Sequence, residues 1–119
     1  MKVAQIARIL EATDISAPSS NGGPDISSAF AADLMSDVLT LAKPGSLLLT
    51  GLTTPQVVRT SELAGVAAIV LVRGKRASAE MKELADEAHI PILESRLTLF
   101  EACGRLHAAG IRGCDADSN

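Results

Sequence analysis

Three short runs of this chain, Leu47-Leu48-Leu49-Thr50, Ala67 to Val72 and Pro91-Ile92-Leu93, are apolar almost throughout instead of alternating with polar residues. A strand with one wet face alternates; a strand covered on both faces does not. Each run is followed by turn residues and then by a helix opening. After the first, Gly51 closes the strand, and Thr53-Thr54-Pro55 starts a helix that runs to Ala64 and stops at Gly65. After the second, Arg73-Gly74 makes the turn. Ser78 is placed to cap a helix whose Met81, Leu84, Ala85 and Ala88 form one apolar stripe. After the third, Thr98-Leu99-Phe100-Glu101 fits a capping box for a last helix ending at Gly110. Three successive β-then-α units predict an α/β fold: a single three-layer domain with a small, mainly parallel sheet flanked by helices.

The first part of the chain adds to this frame. Val3, Ile6, Ala7 and Leu10 share a helical face, with Lys2, Gln5, Arg8 and Glu11 opposite. Ala17 to Asp25 is rich in Pro, Ser, Asn and Gly and reads as a loop. Ile26 to Ala32 reads as a further strand. Asp33 then caps a helix from Leu34 to Ala42, with Leu34, Val38 and Leu41 on one face, and Pro44-Gly45 ends it. Residues 1–113 are expected to form the domain and 114–119 a disordered polar tail.

Composition excludes several function classes. Two Phe and no Trp or Tyr, only 2% of the 119 residues, leave no aromatic platform for stacked bases. A net charge of −3 is the wrong sign for phosphate backbones, so no nucleic-acid partner is expected. No window reaches the roughly 18 apolar residues of a spanning helix, and no export signal is evident, so a cytoplasmic location without membrane contact is expected. Cys103 and Cys114 are then reduced thiols rather than a disulfide framework.

Candidate chemistry is sparse. Val72-Arg73-Gly74-Lys75-Arg76 lacks the first glycine and the hydroxyl residue of a phosphate-binding P-loop. Cys103 and His107 lie four apart on one helix, too few ligands for a structural metal. Asp33 and Asp37 are also four apart; a helix cap and a first-turn acid account for them, and an enzyme using Asp33 and Asp37 is the weakest reading. No catalytic residue, metal or cofactor is assigned. In parallel sheets, ligands bind beyond the carboxyl ends of the strands. That edge holds Gly51 to Thr54, Arg73 to Arg76 and Glu94 to Thr98. Gly51, Thr53, Thr54, Arg73, Gly74, Lys75, Arg76 and Arg96 are therefore the expected ligand-binding residues, a basic edge on an acidic protein.

The stretch from Leu41 to Ile111 resembles the DRTGG domain, and Asp33-Leu34-Met35-Ser36-Asp37-Val38-Leu39 extends the likeness to about 26–111. The resemblance implies a fold similar to the N-terminal domain of the kinase that phosphorylates the phosphocarrier protein HPr, and to the first domain of the muramyl-peptide ligases. DRTGG domains stand beside catalytic domains in phosphotransacetylases and CBS-domain pyrophosphatases, and also occur alone. The resemblance implies a non-catalytic regulatory module that binds a small phosphorylated or nucleotide effector. It further implies a homodimer, with a protein partner encoded nearby; a ligand-free dimerisation or interaction scaffold is the alternative. The family's Gly-Asp-Arg and Thr-Gly-Gly turns are replaced here by Gly51-Leu52-Thr53 and Val72-Arg73-Gly74.

Overall fold

Leu47–Thr50 (β3) and Ala68–Leu71 (β4) are buried at every position and form the centre of the sheet. The computed structural model describes residues 1–19 and 22–114. The other strands are Thr13–Asp14 (β1), Ser28–Ala31 (β2), Ile92–Glu94 (β5) and Arg112–Gly113 (β6). The helices are Val3–Ile9 (α1), Met35–Leu41 (α2), Pro55–Ala64 (α3), Ala79–Ala88 (α4) and Leu99–Ala108 (α5). The spatial order is β1-β5-β4-β3-β2-β6. All pairs are parallel except β1 with β5, where Thr13 lies opposite Glu94 and Asp14 opposite Leu93.

Period-two alternation divides the apolar strand residues between two cores. Leu47, Leu49, Ala68, Val70 and Leu93 pack with Val3, Ile6 and Leu10 of the first helix region and with Ala102 and Leu106 of α5. Leu48, Ile69, Leu71 and Ile92 pack on the other side with Val38, Val57, Val58, Met81 and Ala85 from α2, α3 and α4. The sheet is thus covered on both faces, which is why its central strands read as continuous apolar runs. No helix among the described residues is long and apolar enough to cross a membrane.

Several local expectations hold for the reasons given above. Ser78 Oγ accepts a hydrogen bond from Met81 N at 3.1 Å. Gly65 ends α3 in the left-handed region at φ +80°, and a Cβ there would sit 3.2 Å from the Pro44 backbone, so glycine is doubly required. Others are corrected. Asp33 does not cap α2; the residue before that helix is Leu34, and no side chain bonds its first turn. The apolar stripe of α2 is only partly covered: Val38 is buried while Leu34 and Leu41 are exposed. The capping box at α5 is half formed. Thr98 Oγ1 accepts from Glu101 N at 3.3 Å, but the Glu101 carboxylate turns to Arg105 Nε at 3.0 Å, where a full charge is the stronger partner. The expected tail does not begin at Cys114, which follows β6 and is buried; residues 115–119 lie outside the described residues. The strands β1 and β6, both at sheet edges, have no counterpart in the sequence reading.

Candidate functional site

The turn after β4 is built for close contact with its neighbour. Arg73 and Gly74 both take positive φ, 61° and 72°, and Lys75 N bonds Val72 O at 3.2 Å, a tight turn of the primed type. Those dihedrals aim two backbone N–H groups sideways at the loop after β5: Arg73 N donates to Leu97 O at 2.8 Å and Gly74 N to Ser95 O at 2.9 Å. Docking the two loops brings Arg96 beside Arg73, Lys75 and Arg76. Buried Ser95 locks the junction from below, donating from Oγ to Leu10 O at 2.8 Å and accepting from Leu97 N at 3.2 Å.

Strand parity supplies the floor. Ile92 packs on the α4 side, so Glu94, two residues on, projects to the same side. Thr13 lies directly across from Glu94, and Ile15 packs partly against the same core. The result is an open cleft of about 740 Å³ at the carboxyl corner of the sheet. Thr13, Ile15 and Glu94 lie below, the Arg73–Arg76 turn and Arg96 form the rim, and Glu11 closes the far side. Glu94 Oε2 accepts from Ala77 N at 2.8 Å, which fixes the carboxylate against the approach to α4.

The charges in this cleft are unequally committed. Glu11 is paired with Arg105 Nη1 at 2.7 Å, and Glu94 with a backbone N–H. The exposed side chains of Arg73, Lys75, Arg76 and Arg96 make no hydrogen bond or ion pair with any described residue. By contrast, Lys82 and Arg105 elsewhere on the surface are bound to Asp86 and to Glu11 and Glu101. Like charges gathered at one edge, with only Arg73 near enough to a carboxylate to act on it, that of Asp33, are unfavourable in the empty protein and favourable once an anion sits among them.

Of the residues expected from sequence, Arg73, Gly74, Lys75, Arg76 and Arg96 line this cleft. Gly51 does not line it; the Arg73 guanidinium passes so close to Gly51, at the end of β3, that a Cβ there would sit 2.7 Å from Nη2. Thr53 and Thr54 are on the next loop and do not line it. Sequence reasoning missed Glu11, Thr13 and Ile15, because a two-residue edge strand carries no apolar pattern. It placed Glu94 to Thr98 at this edge but singled out only Arg96 from that segment, leaving Glu94 and Ser95 without a role.

Asp33, read from sequence as a cap, instead ties the ends of two neighbouring strands. Its Oδ1 accepts from Thr50 Oγ1 at 2.8 Å and Gly51 N at 2.9 Å. These bonds, the Gly51 N–H foremost and the Thr50 hydroxyl next, outweigh burial and hold its carboxyl below the usual carboxylate range, with the charge of Arg73 helping. A carboxyl whose folded pKa is depressed adds stability that is present above its unfolded value, near pH 3.9, and lost as pH falls through the folded value. Asp33→Ala should therefore cost about 1 kcal/mol at neutral pH, hydrogen bonds to a charge being discounted for exposure. The gap between variant and parent in urea unfolding should narrow as pH falls below the ordinary carboxylate range. Cys103 is half-buried and burial pushes its thiol up, which disfavours a nucleophilic role.

The molecule is thus an α/β domain with a mainly parallel sheet, covered on both faces, and a basic cleft at the carboxyl corner of that sheet. A family model described as the DRTGG domain matches residues 5–109, and the chain belongs to that family. The match starts ahead of the 26–111 span read from sequence, so Glu11, Thr13 and Ile15, which line the cleft, lie within the matched residues. No curated protein matches the chain. Among solved structures, it is similar to the CBS and DRTGG domains of the regulatory region of a Clostridium perfringens pyrophosphatase, complexed with the activator diadenosine tetraphosphate. The TM-score is 0.74 at 16% identity, over 88% of this chain. The likeness shows a shared fold. This chain spans less than half of that neighbour, 45% of its length.

Proposed function

We propose that this domain is a non-catalytic regulatory module that binds a small anionic effector, phosphorylated or nucleotide in nature, in the cleft between the Arg73–Arg76 turn and Arg96. One observation carries the reading: four exposed cationic side chains that make no hydrogen bond or ion pair with a described residue line one concave site on a protein of net charge −3. The pyrophosphatase neighbour, itself a regulatory region in complex with a nucleotide activator, supports it. The enzyme alternative loses its footing, because Asp33 is engaged as a loop anchor and Asp37 is exposed in the first turn of α2. A thermal-shift screen of nucleotides, phosphorylated metabolites and acyl phosphates tests the proposal. At least one compound should raise Tm in the parent and in Arg59→Ala, a substitution on the exposed side of α3, and lose that effect in Arg96→Ala. A hit that stabilises Arg96→Ala as well as the parent would contradict this cleft as the site.

A homodimer is a second element of the proposal. Leu34 and Leu39 are 61% and 57% exposed around α2, and Leu63 on α3 is 83% exposed. Large side chains left in water at this density suit a symmetric, self-complementary interface. Ile26 is buried and does not belong to that surface. Light scattering at micromolar protein should give twice the chain mass for the parent and the chain mass for Leu34→Lys/Leu39→Lys. A monomeric parent would refute the pairing.

A further inference from the structure

Resting on the effector reading above, we infer that the cleft selects phosphates carried by an organic body with hydrogen-bond donors, the chemistry of a nucleoside diphosphate, and disfavours bare inorganic phosphates. The reason is the carboxylate in its floor. Glu94 is half-buried and held in place by the Ala77 N–H on Oε2; its other oxygen makes no hydrogen bond with any described residue. A simple anion site would gain from having no carboxylate there. One that keeps it repels any anion that brings no donor, and repays a ligand whose hydroxyl or amino groups reach it. Thr13 pairs directly with Glu94 on the neighbouring strand, and Ile15 adds an apolar surface to the cleft. The cleft is therefore divided, with cations at the rim on Arg73, Lys75, Arg76 and Arg96, and acceptors with one apolar side chain in the floor.

Size agrees with a two-part ligand. About 740 Å³ lies in the range, roughly 300–1,000 Å³, of sites that take organic ligands, and far exceeds what a diphosphate alone fills. With no Trp or Tyr in the chain, the organic body would lie against Ile15 and the aliphatic stems of Lys75 and Arg76.

Paired calorimetric titrations test this with ADP and inorganic pyrophosphate, which share the diphosphate; ADP adds the donor-bearing body, and pyrophosphate has one more ionisable oxygen. The parent protein should bind ADP about tenfold or more tightly than pyrophosphate. Glu94→Gln keeps an acceptor for Ala77 N–H while removing the charge. It should tighten pyrophosphate and not ADP, so that the preference shrinks about fivefold or more. Thr13→Val, at the exposed edge strand, should also narrow the preference. Equal affinities in the parent, or a preference untouched by Glu94→Gln, would overturn the inference and leave a plain anion site standing. Failure of both ligands to bind at millimolar concentration would overturn it together with the effector reading.

Discussion

Ile69→Ala should destabilise the domain by about 3–4 kcal/mol. Ile69 lies in the central strand β4, fully buried, and packs against the α3 and α4 side together with Leu48, Val57, Met81 and Ile92. Removing its branched side chain forfeits the transfer energy of the lost methylenes and leaves a cavity that neighbours on a sheet between two helical layers cannot collapse to fill. A domain of this size holds about 5–15 kcal/mol in total, so the loss is a large share, seen as a Tm drop of about 15 °C or more. Phe100→Ala, on a side chain 88% exposed, should lose less than about 1 kcal/mol by the same urea titration. Equal effects of the two substitutions would contradict a sheet buried on both faces.

That prediction draws on the part of the fold that was legible in sequence. Leu47–Thr50, Ala68–Leu71 and Ile92–Glu94 announced themselves because burial on both sides removes the polar half of the alternation. Gly65 and Ser78 were legible because a left-handed stop and an N-cap are local demands on one residue. What escaped was set by partners distant in sequence. Thr13–Asp14 is a strand only because β5 lies beside it, and Arg112–Gly113 only because β2 does. Asp33 stands where a cap would stand, yet the Gly51 N–H and Thr50 hydroxyl reach it first across the strand ends. Glu101 fits a capping box but meets Arg105 one turn on. The basic half of the cleft followed from the rule that loops after parallel strands share an edge. Glu94 followed from the same rule, but Glu11, Thr13 and Ile15 did not, since they depend on where the N-terminal arm pairs.

The second large effect is on binding. Replacing Lys75, Arg76 and Arg96 together by Ala should weaken the best effector from the thermal-shift screen by about 100-fold or more. Charge-assisted hydrogen bonds contribute about 1.5–3 kcal/mol each, and even with partial compensation by Arg73 the sum exceeds 2.7 kcal/mol, about 100-fold. The same variant should fold with its stability within about 0.5 kcal/mol of the parent, because these exposed side chains make no intramolecular ion pair. Affinity of the parent should also fall steeply with added salt, and that of the variant only weakly. A triple variant that binds as the parent does would remove the cations from the site altogether.

Amide chemical-shift mapping locates the effector most directly. Titrating the isotopically labelled protein with ADP should move the amides of Arg73 to Ala77 and of Ser95 to Leu97, the two loops joined by the Arg73–Leu97 and Gly74–Ser95 hydrogen bonds. Amides around the separate cavity between Ser16–Pro18 and Ala85–Pro91, at the other end of β5, should stay where they are. Shifts confined to that second cavity, or no shifts at millimolar ADP, would contradict a regulatory anion site at the carboxyl corner of the sheet.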